Sequence, residues 1–349
     1  MTVAVLGHAG SSGRAVGIWL VAVAALVFAM VLLGGTTRLT HSGLSIVEWK
    51  PVTGVLPPLD EPAWQAEFDR YREFPEYKQL NLGMTLPEFK AIYWVEYAHR
   101  LLGRVIGLAF ALPFAWFLAT RRITRRLAVR LGAILALGGA QGALGWFMVE
   151  SGLVDDPAVS HYRLTAHLGL AVALYGAILW TAFDELAEPA AARGRGLRLL
   201  AYGIAALIFV QILLGGLVAG LHAGLIYNTW PLMDGSLAPL NLFATAPWWR
   251  GPLENIAMVQ FDHRMVAYAI AALAAFAAWR VRRAPQASER QRAAALLLLA
   301  VVFTQILLGI ATLLAVVPVS LAVAHQGGAL AAFSAALWLC HTLTPRDRA

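Results

Sequence analysis

Cysteine is nearly missing. Cys340 is the only one in 349 residues, so no intrachain disulfide and no thiolate metal cluster can form. Any metal must be held by histidine, carboxylates or backbone oxygens. Charge is scarce as well: Asp, Glu, Lys and Arg make up 13% of the chain, against about 25% in a soluble domain. Apolar residues reach 59%, above the roughly 45–50% of soluble proteins, and mean hydropathy is +0.66. These departures exclude an ordinary soluble enzyme, a disordered chain and a nucleic-acid binder. They imply a polytopic membrane protein. The net charge of +7 then becomes a question of which membrane face carries the basic residues.

What is present is long apolar runs. A membrane helix needs about 20 mostly apolar residues. Eight stretches qualify: 16–36, 98–120, 130–150, 162–183, 198–220, 262–281, 293–316 and 319–343. The first reads as a retained helix and not a cleaved signal, because its apolar run is long and continues into Gly34-Gly35-Thr36-Thr37-Arg38 without a small-residue cleavage site. The N-terminus also lacks the Arg/Ser-rich character of an organelle transit peptide, which points to a bacterial inner membrane.

The loops alternate in charge. Arg121, Arg122, Arg125, Arg126 and Arg130 follow span two. Arg193, Arg195 and Arg198 follow span four, Arg280, Arg282, Arg283, Arg290 and Arg292 follow span six, and Arg346 and Arg348 lie in the tail. On the other side, 151–160 has no Lys or Arg and 221–261 has only Arg250. By the positive-inside rule both termini are cytoplasmic, and the long loops 37–97 and 221–261 face outward. Segment 61–80 interleaves aromatic and charged residues (Trp64, Phe68, Tyr71, Phe74) and is expected to form a helix lying on the outer interface.

The two halves of the chain match. Gly34-Gly35, His41, Trp49 and Gly54 recur at one constant spacing as Gly215-Gly216, His222, Trp230 and Gly235. His99-Arg100 matches His263-Arg264, Gln141 and Gly145 match Gln305 and Gly309, and Ala166-His167 matches Ala324-His325. Spans one to four therefore read as duplicated in spans five to eight. The expected fold is all-α, with two four-helix bundles (1–197 and 198–349) related by a pseudo-two-fold axis along the membrane normal.

Nine histidines are present. His8 and His341 fall outside the repeat and receive no role. His99, His167, His263 and His325 lie in the outer parts of apolar helices, where a polar side chain is costly and usually functional. They sit on the second and fourth helix of each bundle. Two imidazoles on facing helices can ligate a haem iron from both sides, and Gly103, Gly107 and Gly327-Gly328 leave room for a flat macrocycle. The lack of a Met or Cys cluster beside them argues against copper. Two haem sites are expected: His99 with His167, and His263 with His325. Arg100 and Arg264 directly follow candidate ligands and suit a haem propionate, or else snorkel to the interface. His41 and His222 leave two readings open, at the haem edges or in water. His161 has no counterpart and reads as a loop residue.

The halves differ chemically at one place. Glu96 lies three residues before His99 and shares its helix face, whereas the matched position holds Gln260. An embedded carboxyl beside one haem can take protons or steady a cationic intermediate; it can also serve merely as a helix-start cap. The asymmetry suggests one reactive site and one electron-transfer or structural site.

The strings GGTTRLTHSGLS (34–45), EYAHRLLGRVIG (96–107), QGALGW (141–146), TAHLGLA (165–171), FDHR (261–264) and AHQGG (324–328) together resemble the haem A synthase family from about residue 15 to 340. The resemblance implies oxidation of the C8 methyl of haem O to a formyl group, by successive hydroxylations and loss of water, to give haem A for cytochrome oxidase. It implies haem b held by His263 and His325, the substrate haem at His99 and His167, and Glu96 as the essential acid. It also implies handover from haem O synthase, the farnesyl-transferring enzyme, and an electron donor. Some bacterial members carry a cysteine pair in an outer loop; with Cys340 alone, this chain resembles the cysteine-free branch of mitochondria and their bacterial relatives. Two other readings fit the histidines: a quinol-linked two-haem electron carrier, and a haem carrier or assembly factor. The small-residue face at Gly138-Gly139 and Gly142 allows close helix packing, including a homo-oligomer.

Overall fold

The computed structural model describes residues 4–50, 53–154, 157–187 and 194–345, with side chains from residue 13 onward. Arg193, Arg346 and Arg348 of the charge pattern lie outside the described residues, as does the His8 side chain. Eleven helices occur among the described residues: α1 Ala4–Leu39, α2 Glu61–Arg72, α3 Pro75–Gln79, α4 Leu86–Ala119, α5 Arg125–Glu150, α6 His161–Leu186, α7 Arg195–Gly220, α8 Gly251–Glu254, α9 Ile256–Arg283, α10 Glu289–Leu314 and α11 Val319–Leu343. No strand occurs among them beyond an isolated bridge between Met233 and Ser236. Eight helices (α1, α4–α7 and α9–α11) are long and apolar enough to cross a membrane, as the hydropathy predicts.

Local chemistry explains where the helices begin. Glu88 accepts from the backbone N–H and the hydroxyl of Thr85, both at 2.7 Å, and starts α4. Ser288 and Gln291 close a reciprocal capping box at α10. Asp60, Thr124 and Asn255 cap α2, α5 and α9 through their side chains. α4 departs from its expected span by beginning at Leu86 and not near 98. The added turns are aromatic and charged, so hydropathy does not register them. Because of them, Glu96 sits well inside a helix and cannot be a cap.

The structure forms two compact units, residues 25–171 and residues 1–24 with 172–349. In the second unit, α7 packs on α9 and α11, and α10 packs on the same two, which closes a ring of four helices. The ring closes through small residues: Ala201 and Ala205 of α7, Ala274 and Ala277 of α9, Ala294 of α10 and Ala336 of α11 are all buried. Leu296, Leu297, Phe303 and Leu307 remain exposed. Ile204, Leu298, Leu330 and Leu339 are buried alongside the alanines, so the ring interior mixes small residues, which let the helices approach closely, with bulky aliphatic ones. The inner part of α6 packs on α11 through Tyr175, whose hydroxyl lies 2.7 Å from that of Ser334.

In the first unit the long loop is a small folded body. Trp64, Phe68, Tyr71, Tyr77, Phe89 and Tyr93 are buried together with Val47. The aromatic stripe of 61–80 is therefore occupied within the protein, against the extension of α4, which corrects the expectation of a helix lying on the membrane interface. Glu76 is enclosed in this cluster, 4% exposed. It accepts from the Tyr71 hydroxyl at 3.0 Å, and that hydroxyl accepts from Asn81 at 2.7 Å. Burial pushes the Glu76 carboxyl up to about 7, against the downward pull of the Tyr71 hydrogen bond and with a smaller upward push from the charge of Glu96.

A raised carboxyl favours the protonated folded state, so its stabilisation is complete below the ordinary carboxylate range and is lost as pH rises through about 7. Hydrogen exchange of 61–97 is expected to quicken over that interval, and Glu76→Gln is expected to flatten the dependence. An equally steep dependence in the variant overturns the assignment.

Candidate functional site

Each of the four helix histidines is received by a glycine on the preceding membrane helix. A Cβ added at Gly34 of α1 would lie 3.0 Å from Cε1 of His99, and one at Gly145 of α5 would lie 2.9 Å from Cε1 of His167. In the other unit, a Cβ at Gly215 would lie 3.3 Å from Cε1 of His263, and one at Gly309 would lie 2.7 Å from Cε1 of His325. The four glycines are repeat-matched, as are the four histidines. At Gly145 and Gly309 an added Cβ forces the ring to shift, and at Gly34 and Gly215 it would be tight, which gives these glycines a physical reason.

A ring contact joins one of the two expected pairs. His263 and His325 have centroids 6.4 Å apart with planes at 72°. An imidazole nitrogen binds a metal at about 2 Å, so two rings on opposite sides of one iron have centroids roughly 6 Å apart. His99 and His167 lie within electrostatic range of one another. Nδ1 of His99, His263 and His325 is buried with no hydrogen-bond partner. No group of three or more His, Cys, Asp or Glu able to hold a metal occurs among the described residues. A pair of imidazoles therefore suits an iron whose other ligands come from a macrocycle. By these criteria the residues fit haem.

Amides fix the ligand helices. Gln141 donates to the carbonyl of His167 at 3.0 Å, and its amide nitrogen lies 3.1 Å from Nδ1 of the same ring. Gln305 donates to the carbonyl of His325 at 2.7 Å, and Gln211 donates to that of His263 at 2.8 Å. Gln211 escapes a reading by repeats, because its matched position is Met30. A membrane-embedded amide beside a candidate ligand is the signal that points to it.

Glu96 is 2% exposed. Its Oε2 accepts from the Ser45 hydroxyl and the Ile46 N–H, both at 2.7 Å. Its Oε1 pairs with Arg100 at 2.6 Å. Arg100 also donates to the carbonyls of Ile46 and Glu48. Gln260 holds the matched place and is 3% exposed. It donates to the carbonyls of Ala223 and Ile226, while its own oxygen accepts from Arg264 at 2.9 Å. Arg264 donates to the carbonyls of Tyr227 and Thr229, which match Ile46 and Glu48. One scaffold thus occurs twice: an arginine pins the loop that leaves the preceding membrane helix. Only the polarity at 96 and 260 is inverted. A polar cavity of about 230 Å³ lies on the loop side of α4, lined by Glu48, Tyr93, Tyr97, Arg100 and Arg104 among others; none of the four histidines lines it.

The remaining histidines separate from this set. His41 and His222 are exposed and share a left-handed backbone, φ 51° and 53°, where each chain turns out of its helix. His161 opens α6 and so is not a loop residue, and its ring lies 4.0 Å from that of Tyr162 with the planes tilted by 38°. His341 is buried beside Asp184 at 3.4 Å and among Trp180, Phe183 and Trp338.

The sequence pattern of the cytochrome oxidase assembly protein family matches residues 17–337. A protein of Nitrosospira multiformis named heme A synthase is 53% identical over 337 residues, 95% of this chain and 94% of its own length. Proteins of that name from Parvibaculum lavamentivorans and a Bradyrhizobium species are each 52% identical, again over 95% of this chain.

The glycine contacts give a direct test. Gly309→Leu is expected to drive His325 from its position and abolish the bis-imidazole absorption of the purified protein. Gly132→Leu, where a Cβ meets nothing within 4 Å, is expected to leave it intact. Normal absorption in Gly309→Leu overturns the pairing.

Proposed function

Because the chain belongs to the cytochrome oxidase assembly protein family, we propose that it is a haem A synthase, an oxidoreductase that converts the C8 methyl of haem O to a formyl group by successive hydroxylations and loss of water. His263 and His325 hold haem b as the resident cofactor, which supplies one-electron chemistry when bound. His99 and His167 receive the substrate haem, and Arg100 and Arg264 act at the haem edges. The chain is built as two copies of one unit, 1–197 and 198–349. It sits in a bacterial inner membrane with both termini cytoplasmic and the haem sites toward the outside. It takes haem O from the farnesyl-transferring haem O synthase and electrons from a separate donor.

The observation that carries this reading is Glu96. A buried carboxyl stands three residues before His99 in one unit, and an amide stands in its place in the other. A carboxyl can accept a proton released at the substrate and exchange it with the Ser45 hydroxyl at 2.7 Å. An amide can do neither. This supports a reactive site at His99 and His167 and a cofactor site at His263 and His325. Arg100 holds Glu96 in place at 2.6 Å and ties it to the loop carbonyls, so that the carboxyl stays oriented while the substrate changes.

Purified protein is expected to yield haem b together with haem O, haem A or an intermediate on extraction and chromatography. Haem b alone, at two per chain, overturns the reading in favour of an electron carrier. Glu96→Gln is expected to keep haem b and stop haem A formation, and undiminished haem A output removes Glu96 from the chemistry. His263→Ala and His325→Ala are expected to lose the haem b spectrum; its persistence reverses the assignment of the two sites.

A further inference from the structure

Arg100 and Arg264 hold matched positions, and the residue four places earlier makes them electrostatically different. Nε and Nη2 of Arg100 donate to Glu96 Oε1 at 3.0 and 2.6 Å, so a carboxylate compensates the cation. Arg264 has no such partner. Its Nη1 donates to the carbonyls of Thr229 and Leu232, and its Nη2 to the carbonyl of Tyr227 and the amide oxygen of Gln260. All four acceptors are neutral. Nε is buried with no partner, and the residue is only 8% exposed. Tyr268 and then Asp234 lie within electrostatic range of it, neither in an ion pair.

A buried guanidinium facing only neutral oxygens is costly unless an anion joins it. The adjacent residue on the same helix is His263, whose ring lies 6.4 Å from that of His325. A haem brings its own carboxylates on the propionate arms, and a planar guanidinium is suited to bind them. The same arm meets different conditions at the two sites. At Arg264 it finds an uncompensated cation and an unused N–H. At Arg100 it must compete with Glu96, which already holds the guanidinium.

We propose that the Glu96/Gln260 difference sorts the two haems by residence: Arg264 locks a propionate of the haem at His263 and His325, while Glu96 pre-empts Arg100 and leaves the haem at His99 and His167 free to exchange. This rests on the haem reading above and adds a second role for Glu96. A synthase must release its product and keep its cofactor. With the same ligand pair in both units, a difference outside the iron has to make the distinction.

The test is haem transfer from the purified holoprotein in detergent to excess apomyoglobin, with the haems separated by chromatography at each time. Haem O or haem A is expected to leave at least about ten-fold faster than haem b. Arg264→Gln is expected to speed haem b loss by about ten-fold or more. Arg264→Lys, which keeps the charge but loses the fork that pins the loop, is expected to retain haem b better than Arg264→Gln. Continued binding of the other haem shows that both variants are folded. Equal transfer rates for the two haems in the unaltered protein overturn the proposal, as does equal haem b loss from the Gln and Lys variants, which would mean that loop pinning and not charge retains it. Absence of any co-purifying haem overturns the haem reading itself.

Discussion

The close approach of a glycine to an imidazole ring, repeated four times, is the contact on which the rest of the structure depends. A histidine in an apolar helix has few polar neighbours and a high desolvation cost. It is tolerated where the adjacent helix comes near enough to enclose it, and a residue without Cβ makes that approach easiest. The contact fixes the spacing between α1 and α4, α5 and α6, α7 and α9, and α10 and α11. Once those helices are spaced, the loops leaving α1 and α7 lie within reach of Arg100 and Arg264, which bind their carbonyls. The ligand geometry and the loop geometry therefore share one cause.

The membrane helices were legible in the sequence because lipid imposes a simple rule: span 319–343 coincides with α11. The rule reads the bilayer and not the helix, so the aromatic, charged start of α4 at Leu86 went unseen. With it went the destination of Trp64, Phe68 and Tyr71, whose stripe has the same sequence signature whether it faces lipid or a neighbouring helix. The four helix histidines stand out in the sequence because each has a matched copy, and each is met by a matched glycine. Gln211 does not stand out, since Met30 breaks the match. The partners of Glu96 were also hidden, because a backbone N–H and carbonyls carry no residue identity.

The charge economy sharpens the same point. In an interior with so few ionisable groups, one carboxyl determines whether a neighbouring guanidinium is paired or open. Glu96 and Arg100 form a closed pair of opposite charges, whereas Gln260 and Arg264 leave a net positive charge. The two sites share ligand type, glycine cradle and loop clamp, yet present different fields to whatever occupies them. One carboxyl exchanged for an amide is enough to change the field at a matched position when the dielectric is low and the partners are few.

The inversion at 96 and 260 is also not the work of one side chain. A carboxylate only accepts, and the loop beside it presents a hydroxyl and an N–H, from Ser45 and Ile46. An amide donates, and the loop beside Gln260 presents the carbonyls of Ala223 and Ile226. Each loop has turned the complementary groups toward its partner. Placing an amide at 96 sets its N–H groups against the donors of Arg100 or of the loop, and placing a carboxylate at 260 sets oxygen against two carbonyl oxygens. Either exchange leaves buried polar groups facing like groups, at a cost of about 1–3 kcal/mol for each one unsatisfied. The difference between the surroundings of Glu96 and Gln260 is therefore held in place by backbone as well as side chain.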